Sequence, residues 1–205
     1  MFVVWILIII GVVALDQVSK ILVVEFLDRD NPFVIIEGVF RLKYSENRGA
    51  AFGSFEESRW VFMIASVLGI IALSVYLFKF KPKSKLACTS LSMIIGGGIG
   101  NMIDRCFRAG EVDGEIRHYV FDFIDFRGIW SYVFNVADAF VCVGAGILMV
   151  WCIWAFIDET KKEKAKKALK ATAVDEDKDI DIEDEPEESP DNTDENTENT
   201  DNAEN

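Results

Sequence analysis

Acidic and amide side chains interrupt three long apolar stretches of this chain. Two of these stretches carry the same spacing of an asparagine and an aspartate. Asn101-Met-Ile-Asp104 and Asn135-Val-Ala-Asp138 are both N-x-x-D, and Asp16 precedes Lys20 by four positions. Residues three or four apart share one face of a helix. Ionisable groups are costly inside a membrane and usually mark function. The spacing therefore predicts three helices whose polar faces point at one another, because lipid cannot satisfy such groups.

Two carboxylates that lie close together can share one proton, with their pKa values pushed apart. The ionised one can take a proton from water while the protonated one polarises a peptide carbonyl, and together these steps hydrolyse a peptide bond. Asp138 is one candidate, since the basic residue near it in sequence, Arg127, is eleven positions away. The second is open among Asp104, Asp122 and Asp125. In an extended chain Asp122 and Asp125 face opposite sides, so one of them points into the protein.

Some of the same groups also have a purely structural interpretation. Asp16 with Lys20, and Asp104 with Arg105, can be ion pairs that hold helices together. The single His118 argues against a metal cage of several histidines. The Gly96-Gly97-Gly98-Ile99-Gly100 run lies in an apolar stretch rather than after a strand, so it is a weak nucleotide signal. We expect no cofactor, no metal and no nucleic-acid partner.

The cysteines offer little chemistry. Their spacings match no zinc or redox pattern, so they are interpreted as small buried hydrophobic residues. They are Cys88, Cys106, Cys142 and Cys152.

Four apolar stretches are each long enough for a membrane-spanning helix, which needs about 20 residues. They are residues 2–24, 60–78, 86–103 and 133–157. Asp138 would then lie about six residues into the fourth span, roughly 9 Å deep at the helical rise. The predicted fold is an all-α membrane protein, a bundle of four transmembrane helices within residues 1–157.

Lysines predict the orientation of this bundle. Four of them crowd the loop between the second and third spans, at positions 79, 81, 83 and 85, and six more follow the fourth span in a basic flank at 158–170. By the positive-inside rule both sites are cytoplasmic. Both termini are then cytoplasmic, segments 25–59 and 104–132 lie outside, and the polar groups sit near the extracytoplasmic face.

Two further segments differ in character from the spans. Phe33-Val-Ile-Ile and Val39-Phe-Arg-Leu-Lys-Tyr44 flank Glu37-Gly38 and predict a small extracytoplasmic β hairpin. Residues 171–205 hold sixteen of the 34 acidic residues and one of the 21 basic ones, a net charge of -15 that leaves +2 for the rest. With almost no apolar residues, this acidic C-terminal tail is predicted to be disordered.

Five sequence blocks resemble the lipoprotein signal peptidase family, also called signal peptidase II. They are Leu15-Asp-Gln-Val-Ser-Lys20, Asn47-Arg-Gly-Ala-Ala-Phe-Gly53, Gly97-Gly-Ile-Gly-Asn-Met-Ile-Asp-Arg105, Val120-Phe-Asp-Phe-Ile124 and Phe134-Asn-Val-Ala-Asp138. The resemblance covers residues 1–157. It implies an intramembrane aspartic endopeptidase that removes the signal peptide of bacterial prolipoproteins by cutting before a diacylglyceryl-modified cysteine.

The resemblance also implies roles for individual residues. It puts the catalytic pair on Asp122 and Asp138, and so favours Asp122 over Asp125. It implies that eight others line or brace the site: Asp16, Lys20, Asn47, Gly100, Asn101, Asp104, Arg105 and Asn135. The hairpin would be the family's β-cradle, which cups the substrate. The implied partners are prolipoprotein signal peptides, membrane lipids and globomycin-type inhibitors. The implied protein is a monomer that crosses the bacterial inner (cytoplasmic) membrane several times.

The chain departs from the family in two segments, a loop and the acidic tail. The tail, residues 171–205, is not part of the family's core and is expected to be dispensable for cleavage. Residues 106–121 form a longer connection than family members usually have. This connection lies next to the site, where it can cover the cleft or alter substrate choice.

Two other functions compete with the peptidase. A proton- or ion-coupled transporter would also need membrane carboxylates. Transporter sites lie near the midplane, however, whereas the polar groups here lie near one face. A structural assembly protein would not need the outer hairpin.

Overall fold

The computed structural model describes residues 2–48, 59–112 and 114–180. The chain divides into two compact units, Met1–Phe156 and Ile157–Asn205. The described helices are α1 (Phe2–Phe26), α2 (Arg59–Val75, continued by a π-helical segment, Tyr76–Phe80), α3 (Lys85–Phe107) and α4 (Val136–Ile180). The described strands are β1 (Phe33–Ile36), β2 (Phe40–Asn47), β3 (Ala109–Val112), β4 (Glu115–His118), β5 (Val120–Asp125) and β6 (Val133–Phe134).

The prediction of a four-helix membrane bundle is confirmed. Within the described residues, four helical segments are long and apolar enough to cross a membrane: Phe2–Phe26, Met63–Phe80, Lys85–Phe107 and Val136–Lys167. The predicted start of the fourth span is wrong, because Val133–Phe134 pairs with β5 as a strand and α4 begins only at Val136. Asp138 therefore lies in the first turn of α4 rather than six residues inside it.

Helix α3 is the central helix of the bundle, since half of the residues in its most apolar stretch are buried. Its small residues allow close packing of the neighbouring helices. A Cβ atom added to Gly96 would lie 2.8 Å from Cβ of Val12 in α1, and one added to Gly97 would lie 2.5 Å from the carbonyl oxygen of Ala137 in α4. The glycine run is thus where α1 and α4 approach the backbone of α3.

The predicted hairpin is part of a larger sheet. Strands β1, β2, β5 and β6 form an antiparallel sheet in that order, and β3 and β4 form a separate two-stranded sheet. The hairpin β3–β4 lies within residues 106–121, the segment predicted to be a longer loop. Pairing of β2 with β5 joins two segments that are 73 or more residues apart, which sequence periodicity does not reveal.

The four-stranded sheet rests directly on the helix ends. Tyr119, Phe121 and Phe123 form a buried cluster, against which Val23 and Val24 of α1 pack. The strand β6 forms one edge of the sheet, and the chain passes from it into α4 within two residues. The sheet and the polar residues of the bundle therefore meet at one end, where α1 and α3 end and α4 begins.

Two other predictions change at the level of residues. Helix α4 continues to Ile180, so its last part falls in the segment predicted to be disordered, and residues 181–205 lie outside the described residues. Cys88 is buried as predicted, whereas Cys106, Cys142 and Cys152 are exposed on the helices.

Candidate active site

Asp138 is held by the local structure that starts α4. The side-chain Oδ1 of Asn135 accepts a hydrogen bond from the backbone N–H of Asp138 (2.9 Å), and Oδ2 of Asp138 accepts one from the backbone N–H of Asn135 (3.1 Å). This reciprocal pair is a capping box, which satisfies donors that a helix leaves free at its N-terminus. Asn135 therefore precedes the helix, and the prediction that it shares a helix face with Asp138 is wrong. Asn101 and Asp104, by contrast, both lie within α3.

Asp122 lies in β5 and receives its hydrogen bonds from two amides. Nδ2 of Asn47, at the end of β2, donates to Oδ2 of Asp122 (2.9 Å), and Nδ2 of Asn135 donates to Oδ1 (2.6 Å). Asp125 lies three residues further along and is bound instead by the guanidinium of Arg41. Both aspartates are buried, at 2% and 7% exposed, so their partners distinguish them and burial does not.

Two asparagines connect Asp122 to Asp138. Asn135 donates from Nδ2 to Asp122 and also to Oδ1 of Asn101 (3.0 Å). Asn101 in turn donates from Nδ2 to Oδ1 of Asp138 (2.7 Å). The two carboxyl groups, which come from a strand and from a helix start, are thus brought into one hydrogen-bond network and interact electrostatically.

The other two aspartates of the site are held by a buried lysine. Nζ of Lys20 lies 2.9 Å from Oδ2 of Asp16 and 2.8 Å from Oδ2 of Asp104, and all three side chains are at most 1% exposed. Asp16 also accepts from the backbone N–H of Ala137 (2.9 Å), and Asp104 from that of Phe121 (3.1 Å). These carboxylates tie α1 and α3 to α4 and the sheet. The structural interpretation of the Asp16–Lys20 pair agrees with this geometry.

The partner of Asp104 differs from the predicted one. Asp104 pairs with Lys20 and with Arg108 (3.4 Å), which lies one helical turn further along the chain. The predicted partner, Arg105, instead donates to the backbone oxygen of Asn101 (3.4 Å) and is close enough to interact electrostatically with Asp138 and Asp122. Adjacent residues on a helix point in different directions, which explains why sequence neighbours do not pair.

The contacts therefore divide the four aspartates into two kinds. Asp16 and Asp104 each contact a cation directly. Asp122 and Asp138 receive hydrogen bonds from neutral amides and from a backbone N–H. Burial, followed by the charge of Asp138, raises the pKa of Asp122 from its usual 3.8 to about 7. Asp122 can therefore exchange a proton near neutral pH.

Gly100 provides the space in which Asp16 sits. A Cβ atom added to Gly100 would lie 2.6 Å from Oδ2 of Asp16 and 3.4 Å from Cβ of Ala137. Since Asp16 is fixed by Lys20 and by the start of α4, it has no free direction in which to move. Gly100, one of the predicted site residues, thus contributes to the site because it has no side chain that would collide with Asp16.

We expect Gly100→Ala to lower the free energy of unfolding by about 1–3 kcal/mol, the usual cost of overpacking a tight interior. Thermal unfolding of the detergent-purified protein measures this. Gly146→Ala is the matched control, because nothing lies within 4 Å of a Cβ atom added there. An equal loss in both variants would show that the close contact with Asp16 is not the cause.

One member of the network was missed as a site residue. Nε2 of Gln17 donates to Oδ2 of Asp16 (3.0 Å), to the carbonyl oxygen of Gly100 (3.1 Å) and to Oδ1 of Asp104 (3.2 Å). It thereby joins α1 to α3. The available signal was its position: a glutamine directly after Asp16 in an apolar stretch needs a partner just as the aspartate does.

Among the described residues, no group of three or more His, Cys, Asp and Glu side chains could hold a metal ion.

The fold and the site together define a multi-pass membrane protein with a pair of carboxyl groups held between helix ends and a small sheet. The family model described as Signal peptidase (SPase) II matches residues 8–154. The chain belongs to the signal peptidase II family, the lipoprotein signal peptidases, which remove signal peptides from prolipoproteins.

Individual relatives agree with this membership. The chain is 41% identical to the lipoprotein signal peptidase of Clostridioides difficile (strain 630) over 157 residues, which cover 77% of this chain and 97% of that protein. It is 40% identical over 154 residues to that of Fusobacterium nucleatum subsp. nucleatum, covering 73% and 85% of the two chains. The predicted family is confirmed, and the transporter alternative finds no support.

Two solved structures share the fold. Both are described as bacterial membrane enzymes determined by the in meso method, one at 2.3 Å and one at 1.9 Å resolution. The first has a TM-score of 0.62 and 26% identity, and the match covers 77% of this chain and 89% of that one. The second has a TM-score of 0.62 and 27% identity, covering 73% and 92%.

Proposed function

We propose that this signal peptidase is an aspartic endopeptidase, with Asp122 and Asp138 as the catalytic pair, and that it cuts prolipoproteins before the diacylglyceryl-modified cysteine. The observation that carries the proposal is the contrast in partners. Asp16 and Asp104 are each paired with the buried Lys20, whereas Asp122 and Asp138 are linked through Asn101 and Asn135.

The pKa of Asp122 supports a division of labour between the two acids. With a pKa of about 7, Asp122 is protonated in about half of the molecules at neutral pH, and in that form it can donate a hydrogen bond to the scissile carbonyl oxygen. Asp138, in its ionised form, takes a proton from water as the water oxygen attacks the carbonyl carbon. That proton then passes to the leaving amine nitrogen as the C–N bond breaks. Each proton transfer by a positioned acid or base typically contributes about 10²–10⁴-fold to the rate.

The remaining site residues support this pair in our proposal. Asn47, Asn101 and Asn135 orient the two carboxyl groups through the hydrogen bonds described above. Arg105 lies near both carboxyl groups and adds a fixed positive charge. The remaining residues hold α1 and α3 in place against α4 and the sheet: Asp16, Lys20, Gly100 and Asp104.

We further propose that the site faces the extracytoplasmic side, with both termini in the cytoplasm. Helix α3 supports this, because it begins at Lys85, beside the other lysines of the 79–85 segment, and carries Asn101 and Asp104 at its opposite end. The positive-inside rule assigns the lysine-rich end to the cytoplasm. We also propose that the protein acts as a monomer and that globomycin-type inhibitors block it.

A reaction with purified protein tests the proposed function. The protein in detergent is mixed with a diacylglyceryl-modified precursor and with the same precursor lacking the lipid, each with and without globomycin. The proposal expects cleavage before the modified cysteine only, and inhibition by globomycin. Equal cleavage of the unmodified precursor would contradict the assigned substrate, and insensitivity to globomycin would contradict the assigned site.

The pH dependence of the rate reports the proton on Asp122. Because Asp122 must be protonated to act as the acid, kcat/KM is expected to fall as pH rises through about 7. The hydrogen bond from Asn47 favours the charged form of Asp122 and lowers its pKa, so Asn47→Ala should move this decline to higher pH. Rates measured between about pH 5 and 9 test both statements. A decline that does not move, or moves to lower pH, would contradict the assignment.

Removal of residues 171–205 is expected to leave the rate unchanged within twofold. The segment lies beyond the family match, which ends at residue 154, and it contains none of the site residues. The shortened and full-length proteins are compared with the lipidated precursor in detergent. A tenfold loss would reveal a role for the tail in cleavage.

A further inference from the structure

An exposed apolar surface remains on the four-stranded sheet, away from the polar network. Strand β1, at the edge of the sheet, consists of Phe33, Val34, Ile35 and Ile36, and each of these side chains is 48–62% exposed. Successive side chains of a strand point to opposite faces. Both faces of β1 are therefore apolar and uncovered, whereas a strand that lies on a core would cover one of them.

A second segment extends this surface. Ile129 and Trp130, in the loop between β5 and β6, are 68% and 57% exposed. The loop lies beside the β1–β2 turn, because the rings of Phe40 and Phe126 stack with centroids 5.0 Å apart. A Cβ atom added to Gly128 would also lie 3.9 Å from the carbonyl oxygen of Gly38 in that turn. We call Phe33–Ile36 together with Ile129 and Trp130 the edge patch.

The sheet lies at the ends of the membrane spans, and this position indicates that lipid can cover the edge patch. Val23 and Val24, near the end of the membrane-spanning α1, pack against the buried cluster of β5, and β6 leads into α4 within two residues. The sheet thus sits directly at the end of the membrane spans with no stalk between them. The edge patch therefore belongs to a sheet that packs on the end of helices long and apolar enough to cross a membrane.

We propose that the edge patch inserts into the boundary between lipid headgroups and acyl chains, and so anchors the sheet to the bilayer. An exposed apolar edge strand in water would invite aggregation, and lipid removes that hazard. The free N–H and C=O groups along the edge of β1 would be unsatisfied in hydrocarbon, so the insertion is shallow. Tryptophan is enriched at this depth, which suits Trp130.

Oxygen and nickel accessibility of spin labels tests the proposal. In a background with all four native cysteines replaced, single cysteines are placed at Ile35 and Ile129 and labelled. References are Val143, an exposed residue in the apolar part of α4, and Glu115, an exposed residue of β4. Each protein is reconstituted in nanodiscs of phosphatidylethanolamine and phosphatidylglycerol, after its thermal midpoint is shown to match the unlabelled background.

The proposal expects the labels at Ile35 and Ile129 to give collision ratios between those at Glu115 and Val143, because the insertion is shallow. Their ratio of oxygen to nickel-complex collisions should be severalfold higher than at Glu115, with no precursor present. Nickel accessibility equal to that at Glu115 would overturn the proposal. Protection that arises only when the lipidated precursor is added would assign the edge patch to substrate, and spin–spin broadening would assign it to a second copy; either result also overturns it.

Discussion

Asp138→Asn is expected to lower kcat for the lipidated precursor by at least about a thousandfold, because it removes the base that takes the proton from water. Asparagine has the same shape and can still accept a hydrogen bond from the backbone of Asn135, so the capping of α4 is expected to survive. Asp122→Asn should cause a loss of similar size by removing the acid. Single-turnover cleavage of the precursor measures both rates, and thermal unfolding checks that each variant is folded.

Asp125→Asn is the matched control for this result. Asp125 lies on the same strand as Asp122, is also buried, and is bound to Arg41 rather than to the network of Asp138. Its replacement should lower stability, because it leaves Arg41 without its partner, while the rate of the folded protein stays within a few-fold of the original. A thousandfold loss in Asp125→Asn, or full activity in Asp138→Asn, would contradict the assigned pair.

Lys20→Met is expected to give the largest loss of stability of any single substitution proposed for this chain. Lys20 is fully buried between Asp16 and Asp104, which lie at 2.9 and 2.8 Å. Methionine fills a similar volume but leaves two buried carboxylates without their shared cation. Breaking a buried ion pair by removing one partner typically costs about 3–5 kcal/mol. Thermal unfolding in detergent micelles, followed by circular dichroism, measures the loss.

Two comparisons separate this effect from a simple loss of a lysine. The triple variant Lys20→Met, Asp16→Asn, Asp104→Asn removes the unpaired charges and should recover part of the lost stability. Lys162→Met removes an exposed lysine that pairs with Asp158 at the same i,i+4 spacing, 2.6 Å apart, and should leave the midpoint unchanged. A triple variant less stable than Lys20→Met alone would show that unpaired charge is not the cause.

The sequence predicts the polar network well, because lipid leaves such residues few options. Asp16, Asn101 and Asp138 lie in apolar stretches, and the need to satisfy them predicts that their helices meet at one level. The hydrogen bonds and ion pairs agree with this, since the three residues belong to one connected network. The confirmed family and four-span fold follow from the same residues and their flanking motifs.

Other features depend on contacts that residue spacing does not contain. The N-x-x-D pattern is a helix face in α3 but a capping box at the start of α4, and the difference arises because β6 pairs with β5 just before Asn135. The choice between Asp122 and Asp125 likewise depends on β2, which brings Asn47 to one aspartate and Arg41 to the other. Both outcomes depend on strand pairing, which residue spacing alone does not reveal.

The central claim is that Asp122 and Asp138 act as one catalytic unit, and the rate of the double variant tests it most directly. Residues that act as a unit are strongly non-additive, because removal of either one already abolishes their joint step. We therefore predict that Asp122→Asn/Asp138→Asn cleaves the lipidated precursor as slowly as each single variant and no more slowly. A residual rate lowered by the product of the two single losses would show that the aspartates act independently, and would contradict the shared-proton mechanism.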